Sequence, residues 1–248
     1  MDFFKEFWDE VVLYMKSISK YLRFLFIILL FLLSSLFKII PILLFNIDTK
    51  NMSVHTNAGL SLFSNIMFVG IAIFLYRKEL KKQFVNLKRI KKKKLIDILD
   101  SSFRYWLIGL TIMVASNFII SKLGIASSNN DSTVKSLLMA SPVLAGLSTI
   151  IIAPLAEELV FRLGFKDIIP KKWPFIIVSG LIFGSLHVVF SISTPYELLY
   201  LIPYCSLGIS FGFIYENSNN IYISYLLHFI HNAITAIVTF LLAGVILW

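Results

Sequence analysis

Long apolar runs alternate with short polar ones along this chain, and the runs have the length of membrane-crossing helices. A helix needs roughly 20 apolar residues to span the hydrocarbon core. Seven stretches qualify or come close, near 24–46, 58–76, 103–124, 141–165, 174–193, 197–215 and 221–247. They predict an all-α, polytopic transmembrane bundle of about seven spans, with six to eight as the range. Ahead of them, Phe3, Phe4, Phe7, Trp8, Val11, Val12, Met15 and Ile18 recur at three-to-four-residue spacing. That spacing predicts an amphipathic helix over residues 1–22, lying on the membrane surface or packed as a cytosolic cap. Asp2, Glu6, Asp9 and Glu10 argue against a secretory signal there.

Composition sharpens the membrane reading. Of 248 residues, 58% are hydrophobic and 15% charged, which leaves too little polar surface for a soluble domain. The net charge of +9 in so apolar a chain sets topology and meets anionic headgroups; it does not argue for nucleic acid. The single cysteine, Cys205, excludes an intramolecular disulfide. Arg77, Lys78, Lys81, Lys82, Lys88, Arg89 and Lys91–Lys94 read as a basic cytoplasmic loop over 77–94 that contacts anionic lipid. The loops at 47–57 and 125–135 carry one lysine each and read as external. The N-terminus is then cytoplasmic. Tyr196, Tyr200, Tyr204 and Tyr215, with Trp173 and Trp248, read as interfacial belts, and His55 as an external residue without a partner.

Ionisable residues inside apolar helices are costly and mark function. They fall in three places: Glu157, Glu158 and Arg162 in the fourth stretch, His187 in the fifth, and His228, His231 and Asn232 in the seventh. Glu158 and Arg162 are four apart and share a helix face, with the acid first, the better order for a pair. Glu157 sits about 100° around the helix and is free for other work, a general base among them. His228 and Asn232 share a face, with His231 beside it, and an asparagine N–H suits an oxyanion hole. Taken alone, the carboxylate–arginine pair also fits a helix lock, and a lone intrahelical histidine fits packing. Counted from the cytoplasmic helix ends, Glu157, His187 and His228 lie at roughly 13, 20 and 10 Å, so tilted helices can bring them to one level.

The ordered set, Glu157-Glu158-Leu-Val-Phe-Arg162, then Phe183 to His187, then His228 to Asn232, resembles the CAAX-protease and bacteriocin-processing (CPBP, or Abi) family of intramembrane proteases, which includes the CAAX prenyl endopeptidase. Leu163 departs from the family pattern, where glycine often follows the arginine; Gly164 comes one later. The resemblance implies a catalytic core within residues 136–248, behind an N-terminal membrane region over 23–135. It implies that Glu157 and His187 activate a water while His228 and Asn232 stabilise the oxyanion. Whether a metal takes part is open: Glu157, His187 and His228 form a plausible three-ligand zinc set, and metal-free glutamate catalysis is the alternative. In bacteria, similar proteins are tied to peptide pheromone or bacteriocin maturation and to self-immunity. The substrate implied is a membrane-associated peptide or protein tail entering from the cytoplasmic side. Two other functions fit the same polar residues: a non-catalytic scaffold for a sensor kinase or exporter, and a small transporter. On the sixth stretch, Gly208 and Gly212 form a GxxxG pair that favours close helix approach.

Overall fold

The computed structural model describes residues 19–243, and every regular element among them is helical. The predicted helix over 1–22 lies almost wholly outside the described residues, as does Trp248. The first stretch is a bent pair, α1 (Ser19–Leu32) and α2 (Ser34–Leu44), with a 57° bend between them. It is followed by α3 (Val54–Arg89), α4 (Lys92–Lys122), the short α5 (Asn129–Ala140), α6 (Pro142–Ile168), α7 (Lys172–Val189), α8 (Pro195–Ser218) and α9 (Ile221–Leu242). Six helices are long and apolar enough to cross a membrane, and the bent pair brings the count to seven. The chain is a multi-pass membrane protein.

The carbonyls at the bend between α1 and α2 are bonded by nearby serines. A break in a helix frees carbonyls that lipid cannot satisfy, so other groups must bond them. Ser34 Oγ donates to the Phe31 carbonyl at 2.8 Å, and Ser64 Oγ from α3 donates to the Ser34 carbonyl.

The basic segment 77–94 is helical, not a loop, apart from a turn at Ile90 and Lys91. Lys, Arg, Glu and Leu are strong helix formers, and no Gly or Pro interrupts Ile71–Arg89. At 1.5 Å per residue, the 36 residues of α3 exceed the hydrocarbon thickness by about 24 Å, so its basic end projects beyond it. One stripe of this projection is packed. Gln83 is buried; its Nε2 donates to Tyr215 Oη at 3.1 Å and its Oε1 accepts from Ile221 N at 2.7 Å. Asn220 Nδ2 donates to the Gln83 carbonyl at 2.9 Å. The start of α9 is thereby fixed to α3. The predicted external loop at 125–135 likewise holds the first half of α5, whose N-terminus is capped by Ser128.

The helices that carry the site meet at glycines. A Cβ at Gly180 would lie 2.6 Å from Ile209 N, one at Gly184 2.5 Å from Cys205 N, and one at Gly208 2.5 Å from the Gly180 carbonyl. Backbone therefore touches backbone between α7 and α8. Gly212 contributes less, since its Cβ would stand 3.3 Å from Ile176 Cα. Phe31, Phe68, Phe161, Phe165 and Phe183 fill the space between α1, α3, α6 and α7 with edge-on and stacked rings.

Candidate active site

α6 is not a regular α-helix. Pro154 lacks an N–H, and its ring crowds the carbonyl four residues earlier. The chain answers with a π-helical stretch, Leu147–Ile152, directly before the α-helical turn Ala153–Glu158, and a second one, Leu159–Gly164, directly after it. Such insertions recur at functional sites because they turn side chains out of the regular register. The carbonyls they loosen are bonded from α9: Asn232 Nδ2 donates to the Thr149 carbonyl at 2.8 Å, and Tyr225 Oη to the Ile151 carbonyl at 3.2 Å. Glu157 and Glu158 thus sit on a short turn held between two wide ones.

Glu158 and Arg162 are both fully buried and paired, Arg162 Nε lying 3.3 Å from Glu158 Oε2. Arg162 also donates from Nη1 to Ser179 Oγ at 3.2 Å and stands 5.8 Å from the centre of the Phe183 ring. Glu158 has a second task. Its Oε1 lies 3.0 Å from His228 Nδ1, and its Oε2 accepts from Ser224 Oγ. An ionised carboxylate can only accept, so Nδ1 of His228 is the donor. This leaves Nε2 of a neutral His228 as a lone pair, 3.4 Å from Glu157 Oε2.

His187 arrives from α7 with the same polarity. Its Nδ1 lies 2.8 Å from the Phe183 carbonyl, which can only accept, so its Nε2 also faces outward, 3.9 Å from Glu157 Oε1. Phe183 gives the second motif its sense: its carbonyl fixes one histidine, and its ring lies 4.6 Å from the His187 ring and 5.8 Å from the His228 ring. Phe211 stacks on His228 at 4.3 Å with 21° between the planes. Glu157 and His187 keep side-chain exposures of 16% and 22%, against 4% for His228, so the opening of the site lies on their side.

The structure therefore gathers Glu157, Glu158, Arg162, His187 and His228. Asn232 shares the His228 face, and its bond here is to the Thr149 carbonyl. His231 stands apart, edge-on to Trp106 and Phe211 at 6.4 and 6.3 Å. His55 is not without a partner: its Nδ1 lies 3.1 Å from Ser141 Oγ. Glu157, His187 and His228 have the donor chemistry of a zinc site, but among the described residues no group of three His, Cys, Asp or Glu side chains is placed to hold a metal ion. Sequence reasoning missed Ser179, Ser224 and Phe211. Ser224 had a usable signal, a hydroxyl four residues before His228 on the same face of an apolar helix.

Comparison with known proteins bears on the same segment. The model of the family described as type II CAAX prenyl endopeptidase Rce1-like matches residues 139–234, which contain all of the gathered residues. Residues 139–234 of this chain are similar to that family. The Rce1-like segment covers α6, α7, α8 and the first part of α9, ending two residues after Asn232. The chain is also similar to "UPF0177 protein YxdF" of Lactococcus lactis subsp. lactis (strain IL1403), 29% identical over 131 residues, 50% of this chain and 70% of that protein. It is similar to "Putative membrane peptidase YdiL" of Bacillus subtilis (strain 168), 26% identical over 113 residues, 44% of this chain and 43% of that protein. No solved structure matches the chain.

Proposed function

We propose that this protein is an intramembrane endopeptidase that hydrolyses a peptide bond of a membrane-associated peptide or protein. The observation that carries the reading is the shared polarity of the two histidines: each spends Nδ1 on a fixed acceptor and turns Nε2 toward the carboxylate of Glu157. At 3.9 Å, Glu157 Oε1 and His187 Nε2 are too far apart for a direct bond and suitably spaced to share a water.

In this mechanism Glu157 takes a proton from that water, whose oxygen attacks the scissile carbonyl carbon. The C=O electron pair moves onto oxygen. In the reacting form His228 is the imidazolium: its Nδ1–H stays on Glu158, and its Nε2–H, in place of the lone pair of the neutral form, joins the second N–H of Asn232 in donating to that oxyanion. Collapse re-forms the carbonyl and breaks the C–N bond, and Glu157 delivers its proton to the departing amine. His187 orients the water through Nε2. No step is routed through a metal. The substrate we propose is a short membrane peptide, such as a pheromone or bacteriocin precursor, on the strength of the family resemblance alone.

The test compares purified wild type with Glu157→Ala, each incubated in lipid with candidate membrane peptides, with and without chelator, and read by product mass. Cleavage by wild type and its loss by at least about a hundredfold in the variant are expected. Equal products from both proteins, or none from wild type across the panel, overturn the reading. Chelator-sensitive cleavage replaces the metal-free mechanism with one in which Glu157, His187 and His228 hold an ion.

A further inference from the structure

His228 is fixed by a carboxylate on Nδ1 and an aromatic ring on its face. His187 has a carbonyl of its own helix on Nδ1 and the tilted Phe183 ring 4.6 Å away, both supplied by α7 itself. The face of the His187 ring is covered by Tyr204 from α8, with ring centres 5.0 Å apart and 21° between planes. Tyr204 is held at both ends. Next to it, Cys205 meets Gly184 at one of the close approaches of α7 and α8. The Tyr204 hydroxyl lies 3.0 Å from Ser128 Oγ and accepts from Asn130 Nδ2 at 3.1 Å.

Those two partners belong to a short segment around the start of α5 that is itself tied down. Ser128 caps α5, accepting from Asp131 N at 3.2 Å. Tyr200 Oη donates to the Ala126 carbonyl at 2.8 Å. Asn129 Nδ2 donates to the Ser191 carbonyl at 2.8 Å and to Ser193 Oγ. A continuous chain of bonded contacts runs from the α5 cap, through Tyr204, to the imidazole beside Glu157.

We infer that Tyr204 is a positioning residue for His187, and that Ser128 and Asn130 fix it from the head of α5. Stacking on Tyr204 adds a near-parallel contact from a second helix to those that Phe183 makes, and so holds the imidazole plane with Nε2 toward Glu157. The kinetic consequence rests on the peptidase reading; the structural one does not.

The test uses the full chain in lipid nanodiscs with isotope-labelled histidine. Four histidines give four ring signals, and His187→Gln assigns the relevant one. In Tyr204→Leu the His187 ring signal is expected to move as the ring current of Tyr204 is withdrawn, while the His55 signal stays. Tyr204→Phe keeps the stack and loses the tether, so its signal stays near wild type and broadens. Ser128→Ala with Asn130→Ala is expected to match Tyr204→Phe, and the combination of all three to add nothing. On any peptide that wild type cleaves and Glu157→Ala spares, Tyr204→Leu is expected to lower kcat about tenfold with KM little changed. An unmoved His187 signal in Tyr204→Leu overturns the inference and leaves the peptidase reading standing. A moved signal in a protein that cleaves nothing sinks the peptidase reading alone. Should Tyr204→Leu fail to fold, wild-type line shape in both Tyr204→Phe and the Ser128/Asn130 variant overturns the inference.

Discussion

Glu158 is the residue on which the site balances. It offsets the charge of Arg162 with one oxygen and orients His228 with the other. Removing one partner of a buried pair is more damaging than removing both, because an uncompensated charge remains. Glu158→Gln is therefore expected to cost about 3–5 kcal/mol of stability. Ser224→Ala removes only a bond to a carboxylate that keeps two other partners, and about 1–2 kcal/mol is expected. Thermal or denaturant unfolding of the two variants in matched detergent checks the order, and a Ser224→Ala protein less stable than Glu158→Gln contradicts it. Tyr200, Tyr204 and Tyr215 carry the amphipathic character of an interfacial belt, and their hydroxyls bond Ala126, Ser128, Asn130 and Gln83.

At the scale of elements, the irregularity of α6 and the closeness of α7 to α8 decide where the functional side chains stand. Pro154 disfavours a regular turn, and Asn232 and Tyr225 bond the Thr149 and Ile151 carbonyls, so α9 grips the wide turn directly before the one that carries Glu157. Tyr225→Phe leaves the Ile151 carbonyl short of that donor and is expected to lower stability by about 1 kcal/mol. The glycine contacts give a graded series. Gly184→Ala and Gly208→Ala each place a methyl against backbone that cannot yield, and about 1–3 kcal/mol of destabilisation is expected for each. Gly212→Ala, with its looser contact, is expected to cost less. Equal unfolding midpoints for the three glycine variants remove the argument that α7 and α8 meet through these positions.

On the scale of the whole molecule, helix direction sorts the charges. The α3–α4, α6–α7 and α8–α9 turns share one end of the bundle, and the Gln83–Asn220 bond and the Lys166–Glu216 ion pair join them there. That end holds Lys88 to Lys94, Lys166, Lys171 and Lys172. The opposite end holds α5 and the segment after α7. We propose that the basic end faces the cytoplasm. With Cys205 replaced by serine, Lys92→Cys and Ser136→Cys place single thiols at opposite ends. A membrane-impermeant maleimide is expected to label Ser136→Cys in intact cells and Lys92→Cys only after permeabilisation; the reverse pattern inverts the orientation.

Apolar run length alone determined that this chain is a helical membrane protein, because a lipid core admits only segments that bond their own backbone. The ordered glutamates, histidines and asparagine singled out the site residues, because charge inside such segments needs a reason. The pairing of Glu158 with Arg162 was legible too, being a contact within one helix. What sequence could not decide were contacts between helices: that Glu158 also holds His228, that Tyr204 covers His187, and that the basic stretch of α3 continues as a packed helix. Spacing along a chain fixes which residues share a face, but which faces meet depends on bends, glycine contacts and π-helical turns that only the assembled bundle sets.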